Sequence, residues 1–261
     1  MSPGKSVWIY RVWLIRLVFL VFALFAWELF SRLGFVSSYF LPPPSEILLA
    51  LVDMAKKDLL WESIARSMSR MLIGYGISVI IGTSIGFVLA GNSIFKLTFG
   101  SLVAALQSVP SICWLPFALL WIGIDERAII AVVVLGATFS IATATENAVR
   151  NVPPIYLKVG QVLGAKGFVL AKDILFFAAL PEWLGGMKLG WSFAWRSLMA
   201  AELIRQDALG IGRLLEIGRA FSDVPMMLAA MVVILTVGST VDSLIFGTLE
   251  RKVRTVYGLD R

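Results

Sequence analysis

Ala128–Thr145 reads AIIAVVVLGATFSIATAT, a run without a single charge. A helix needs about 20 mostly apolar residues to cross the hydrocarbon layer of a bilayer, so this stretch is read as a membrane span. Working outward, Met71–Gly91 and Leu97–Ile124 are likewise uncharged. Val12–Ser31 is interrupted by Arg16 and Glu28, and Val224–Val241 ends at Asp242. A sixth candidate, Leu180–Leu203, is weaker because Glu182, Lys188, Arg196 and Glu202 lie in it. The composition agrees: 59% of the 261 residues are hydrophobic and 15% charged, against roughly 45–50% and about 25% in soluble domains. The fold class expected is all-α, a polytopic membrane protein of six transmembrane helices forming one domain over residues 1–261.

Charge sets the topology. With the N-terminus inside, the inner segments and span ends hold Lys5, Arg11, Arg16, Lys96, Arg150, Lys158, Lys166, Lys172, Arg251, Lys252, Arg254 and Arg261. Against them stand Glu146, Asp173, Asp242, Glu250 and Asp260, while basic and acidic residues nearly balance on the outer side. That bias follows the positive-inside rule. Five spans would put Arg251-Lys252-Val253-Arg254 outside, so six are expected, with both termini cytoplasmic in a cell membrane. The first span is read as retained: its apolar stretch exceeds a signal-peptide core, and Ser31-Arg32-Leu33-Gly34 is a poor cleavage site.

The chain has no histidine and one cysteine, Cys113, read as a small buried residue. A His-based metal site, a Ser-His-Asp triad and an internal disulfide are excluded. No Gly-x-x-x-x-Gly-Lys-Ser/Thr phosphate loop occurs, and the net charge of +6 comes without the basic, aromatic-interleaved runs of a nucleic-acid binder.

Between the spans, Leu41-Pro42-Pro43-Pro44-Ser45-Glu46 must turn. Ser45 or Glu46 then opens an amphipathic helix to about Lys57, with Ile47, Leu48, Leu51 and Met54 on one face. Ser78, Gly82 and Gly86 recur every four residues, so that face is expected to pack closely on another membrane helix. The third span is longer than one crossing and contains Pro110 and Pro116. Freed carbonyls at membrane depth are tolerated where protein or a water-lined cavity satisfies them, which suits either a transport path or kinked packing. Ser108, Ser111 and Trp114 flank the kink and are candidates, with Pro110, for a polar passage.

The inner loop, residues 146–172, carries Pro153-Pro154, suited to a first helical turn. Ile155, Val159, Val162 and Leu163 then form an apolar stripe, Lys158 and Lys166 lie off it, and Gly164 and Gly167 offer stops. A helix of about 12 residues is only about 18 Å long, too short to cross. It rests on its own bundle, on headgroups or on a partner. Lys188 and Arg196, about 80° apart on a helix, can face one side, and charges in a span usually face a watery interior. An anion path and ion pairs with Glu182 and Glu202 both fit.

Gly164 followed by nine residues and Ile174 resembles the second half of the cytoplasmic-loop signature of ATP-binding-cassette importer permeases. The ordered set Leu41-Pro42-Pro43-Pro44-Ser45, Ser67-x-x-Arg70-x-x-x-Gly74, Val109-Pro110 with Trp114-Leu115-Pro116 and Trp121-x-Gly123, Arg150-Asn151-Val152, Ala178-Ala179-Leu180-Pro181, Ala200-Ala201-Glu202 and Gly210-Ile211-Gly212 resembles the nitrate, sulfonate, taurine and bicarbonate branch. The chain departs where Lys158-Val159-Gly160 replaces Glu-Ala-Ala and Phe176-Phe177 replaces Leu-Pro. The resemblance implies a type I importer permease with its core at about residues 60–250. It implies a coupling helix at about Pro154–Gly167 that docks an ATPase through Tyr156, Val159, Gly160, Leu163, Gly164 and Ala165. It implies a translocation path, for which Ser108, Pro110, Ser111, Trp114, Lys188, Arg196 and Glu202 are the candidates. No cofactor is expected in this chain, ATP and Mg being bound by the partner ATPase. An extracytoplasmic binding protein, a second permease copy as a homodimer and the lipid bilayer are the other expected partners, with no nucleic acid. The chain is then not an enzyme, and its cargo is a small anion such as a sulfonate, taurine or nitrate. The competing reading is a carrier or channel driven by an ion gradient, for which no membrane-embedded proton-relay residue or inverted repeat is seen. Gly164→Trp is expected to leave folding intact and uncouple ATP hydrolysis from uptake.

Overall fold

A computed structural model describes residues 3–34, 36–205 and 207–258, with side chains from residue 11 onward except residue 13. The Lys5 side chain, Asp260 and Arg261, counted above among the inner charges, lie outside what is described. All regular elements among the described residues are helical. They fall into two compact units, Met1–Trp61 with Leu214–Val232 and Glu62–Arg213 with Val233–Arg261.

In the first unit, α1 (Pro3–Arg32) is followed by α2 (Pro44–Lys56). Pro42 and Pro43 are buried in the turn, and Pro44, which has no N–H to leave unpaired, is the first residue of α2. Glu28 of α1 accepts from the Ser45 backbone N–H at 3.0 Å and the Ser45 hydroxyl at 2.9 Å, and pairs with Arg32 at 2.6 Å. The acid that interrupts the first span thus caps the next helix. α2 buries Ile47 and Met54, but Leu48 is exposed, so the apolar face is Ile47, Leu51 and Met54 without it.

The second unit is built round α6 (Glu126–Arg150), whose Ala128, Ile129, Val132, Val133, Ala137, Ile141 and Ala142 are fully buried. Asp125 caps it, accepting from the Arg127 N–H at 2.8 Å. α3 (Leu59–Gly91) lies on one side, pressing its small-residue stripe into α6. A Cβ at Gly74 would come 2.7 Å from Val133 Cγ1, one at Gly82 2.7 Å from the Thr138 carbonyl oxygen, and one at Gly86 2.6 Å from the Ala142 carbonyl oxygen. Ser78 continues the stripe, its hydroxyl donating to the Gly74 carbonyl at 2.8 Å and the Val134 carbonyl at 3.3 Å. The expected close approach is therefore present, with α6 as the partner. α8 (Phe176–Ile204) makes the same kind of contact with α6 beside α3: Gly186 lies on Ala144, and Gly190 on Ile141, the residue Gly82 also meets. Gly82→Leu is expected to destabilise the protein by about 1–3 kcal/mol or more by overpacking, read as a lower detergent melting temperature. Gly76→Leu on the same helix, where a Cβ meets nothing within 4 Å, should leave that temperature unchanged.

Residues 97–124 do not form one kinked span. α4 (Ser93–Ser108) and α5 (Ser111–Ile122) meet at 98°. Pro110 excludes the helical conformation from the residue before it, so Val109 is extended at φ −72°, ψ 123°, and Pro110 follows at φ −54°, ψ 126°. Pro116 bends nothing, because it lies in the first α-helical turn of α5, after the 3-10 turn Ser111–Trp114. α7 (Pro154–Val162) comes next, and the short turns Gly167–Leu170 and Ala171–Leu175 lead into α8. Pro181 within α8 leaves the Phe177 carbonyl without its helical donor, and the Tyr257 hydroxyl supplies one at 2.7 Å. α9 (Ile211–Ala220) and α10 (Val224–Val256) complete the chain.

Leu14–Arg32, α3, α6 and α10 are each long and apolar enough to cross a membrane, and the bent pair would make a fifth crossing. α8, the weakest candidate in the sequence, has 29 residues and so the length, but it carries the four charges noted above. α10 does not stop at Val241: it continues to Val256, which places Asp242 inside a helix rather than at its end. Three stretches widen to π-helical turns, Lys96–Gly100, Ala171–Leu175 and Asp242–Phe246.

Candidate functional site

α7 is shorter than the Pro154–Gly167 expected from the sequence. The Ala165 N–H bonds back to the Gly160 carbonyl and the Gly164 N–H to the Gln161 carbonyl, both at 3.0 Å, while Gly164 takes φ +87°. That is the Schellman stop, and it explains why glycine stands there. Where α6 ends, Val152 is buried with Ala148 and Ala179, Asn151 donates to Glu182 at 2.6 Å, and Glu146 pairs with Lys96 at 2.7 Å. α7 therefore springs from a fixed root.

Its own chain covers α7 on one side only. Gly160 is buried, and a Cβ there would collide with Ile174 and Leu170, so this glycine serves packing within the chain and is not presented to a partner as expected. Ile155, Tyr156 and Val159 are more than half exposed, Val162 is 87% and Leu163 79% exposed, and Ala165 is half-buried. The apolar stripe thus faces away from the bundle that carries it.

At the 98° elbow the structure opens a cleft of about 340 Å³ lined by Ser108, Pro110, Ser111 and Arg196, together with Gln107 and Phe193. Four of the seven path candidates meet here. The Arg196 guanidinium donates to the Ser192 carbonyl at 3.0 Å and lies 4.7 Å over the Phe193 ring. Among the described residues it makes no ion pair with a carboxylate, and the expected partner Glu182 is engaged by Asn151. Gln107 was missed in the sequence: its Oε1 accepts from Thr143 at 3.0 Å, leaving its amide hydrogens for the cleft. Trp114 packs on Phe117 at 6.3 Å and is not part of the lining. Cys113 is exposed, correcting its reading as a buried residue.

Lys188 pairs with Asp242 at 3.2 Å, and neither residue lines the cleft. Glu202 is also withdrawn from the path, being fully buried. It accepts from Arg70 and from Ser67 at 2.8 Å and from the Gly212 N–H at 3.0 Å. Ser67 accepts in turn from the Ile211 N–H at 2.9 Å. Arg70, 2% exposed, also donates to the Leu209 carbonyl at 2.8 Å and to Glu126 at 2.7 Å. A Cβ at Gly210 would fall on the Glu202 carboxylate. Three motifs far apart in sequence, around Ser67, Glu202 and Gly210, are thus one buried polar lock joining α3, α8 and the start of α9. Beside it Arg205 bonds Asp207 and the Asp125 carbonyl. The Arg205 hydrogen bond holds the Asp207 carboxyl below the usual carboxylate range, so this contact is lost only as pH falls through that lowered value.

Comparison with known proteins places this geometry. The model of the binding-protein-dependent transport system inner membrane component matches residues 58–255. A putative aliphatic sulfonates transport permease from Bacillus subtilis is 30% identical over 87% of this chain and 82% of its own. The taurine transport permease of Escherichia coli is 27% identical over 80% and 77%, and a bicarbonate transport permease of Synechocystis 27% over 72% and 70%. Among solved structures, the inward-facing MetNI methionine transporter shares the fold with a TM-score of 0.67 at 20% identity, over 75% of this chain and 96% of that one. The chain is a multi-pass membrane permease and not an enzyme, and it belongs to the family of binding-protein-dependent transport system inner membrane components.

Proposed function

We propose that this permease forms the path for a small anion in an ATP-driven importer, and that α7 is the rod by which a separate ATPase subunit moves it. The observation that carries this is the apolar outer face of α7, exposed beyond the bundle on a root fixed by Val152 and Asn151. An ATPase subunit would cover that face, and a short, capped helix transmits a push that a loop would absorb. No residue pattern in the chain binds ATP. The family description supports a binding protein as the source of cargo, and the relatives named above are sulfonate, taurine and bicarbonate permeases. All three cargoes carry an anionic group, the charge Arg196 would meet in its cleft. ATP-driven closure would rock two permease copies between inward-open and outward-open states, with both chain termini and α7 on the cytoplasmic side.

Gly164→Trp does not isolate docking, because φ +87° strains any side chain there. Leu163→Asp does, since Leu163 stands open at the helix end. In the complex reconstituted in vesicles, Leu163→Asp is expected to cut uptake by about tenfold or more, the loss of one apolar anchor at an interface, while the ATPase still hydrolyses ATP. Gly164→Asn, which tolerates positive φ, should retain uptake. Unchanged uptake in Leu163→Asp overturns the assignment.

A further inference from the structure

We propose that a groove beside α7 is a binding site for an anionic phospholipid, one acyl chain lying among the rings of Phe87, Phe168, Phe176 and Phe177 and the phosphate resting on the Lys172 ammonium. The groove holds about 450 Å³, and Ala171 and Lys172 complete its lining. The surface of that lining is wholly apolar: Lys172 contributes its methylene stem, and its exposed ammonium lies outside the lining. Among the described residues Lys172 makes no ion pair, and it is exposed.

Position selects a lipid rather than a soluble molecule. Phe87 is one turn from the end of α3 at Gly91, and Phe176 is the first residue of α8. One wall thus belongs to the tip of a membrane helix and the other to the lead-in of a second, the level at which acyl chains give way to headgroups. Aromatic rings and lysine tips suit that boundary, and basic pockets between helix ends take acidic headgroups. Phe168 is 79% exposed on a four-residue turn, an orientation that leaves a large ring open for a hydrocarbon chain to cover. The same lead-in supplies Leu170 and Ile174, on which Gly160 of α7 rests. A seated lipid would therefore stiffen the bed of α7. The proposal needs only that the chain spans a membrane, and it stands or falls independently of what docks on α7.

The test is native mass spectrometry of the delipidated, assembled transporter, titrated with phosphatidylglycerol or with phosphatidylcholine of the same acyl chains. Phosphatidylglycerol is expected to bind once per permease, and Lys172→Gln to weaken it about fivefold, the effect of one surface cation on an anionic lipid. Phosphatidylcholine should bind more weakly and be indifferent to Lys172→Gln. Phe168→Ser should weaken both lipids, and millimolar inorganic phosphate should displace neither. Equal retention of the two lipids, equal phosphatidylglycerol binding by wild type and Lys172→Gln, or displacement by phosphate would overturn the proposal. A groove that takes up no lipid because another subunit covers it in the assembled transporter would overturn it too.

Discussion

Glu202→Leu is expected to cost the folded permease about 3–5 kcal/mol, the penalty for leaving one member of a buried ion pair without its partner. Arg70, 2% exposed, would keep Leu209 and Glu126 but lose the carboxylate that neutralises it at 2.8 Å. The measurement is the detergent melting temperature together with the yield of monodisperse protein. The double variant Arg70→Met/Glu202→Leu should regain much of that loss, because two apolar side chains replace two buried charges. Gly210→Ala should resemble Glu202→Leu, as its Cβ would displace the carboxylate. A single variant as stable as wild type would show that the lock contributes nothing. Because Glu202 is sealed from the cleft, variants that fold should keep the anion selectivity of the parent.

Arg196→Gln should act the opposite way, leaving the melting temperature alone and cutting anion uptake about ten- to hundredfold. That is the range for losing one hydrogen bond to a charged group. The guanidinium is exposed, unpaired with any described carboxylate and held only by a backbone carbonyl and a ring, so folding has little stake in it. Arg196→Lys keeps the charge and loses the guanidinium over the Phe193 ring, and should fall between wild type and Arg196→Gln. Uptake that keeps its rate and anion preference in Arg196→Gln would remove Arg196 from the path.

The helices were legible because hydrocarbon demands long apolar runs, and the spacing of Ser78, Gly82 and Gly86 announced a close neighbour without naming α6. Pairing was not legible. Sequence proximity favoured Glu202 and Glu182 for the span charges, yet Glu202 met Arg70 and Lys188 met Asp242. Such partners are chosen by tertiary packing across more than a hundred residues or between separate helices. The sharpness of the elbow was also hidden, since a proline inside an apolar run is compatible with a mild kink. Only the extended backbone at both Val109 and Pro110 turns it through 98°. The stripe on α7 was legible as apolar, but the sequence left open whether it rested on its own bundle, on headgroups or on a partner; with Gly160 as the inward contact, the larger side chains are turned outward.

The π-helical turns at Lys96–Gly100, Ala171–Leu175 and Asp242–Phe246 each close an i→i+5 ring and so house a surplus residue. Removing one residue from such a turn lets it relax to ordinary α geometry while both flanks keep their register. The same deletion inside α6 would rotate everything beyond it by about 100° and carry Thr138, Ile141 and Ala142 off the glycines they rest against. Length variation is thus affordable at three sites along this chain and ruinous at its centre.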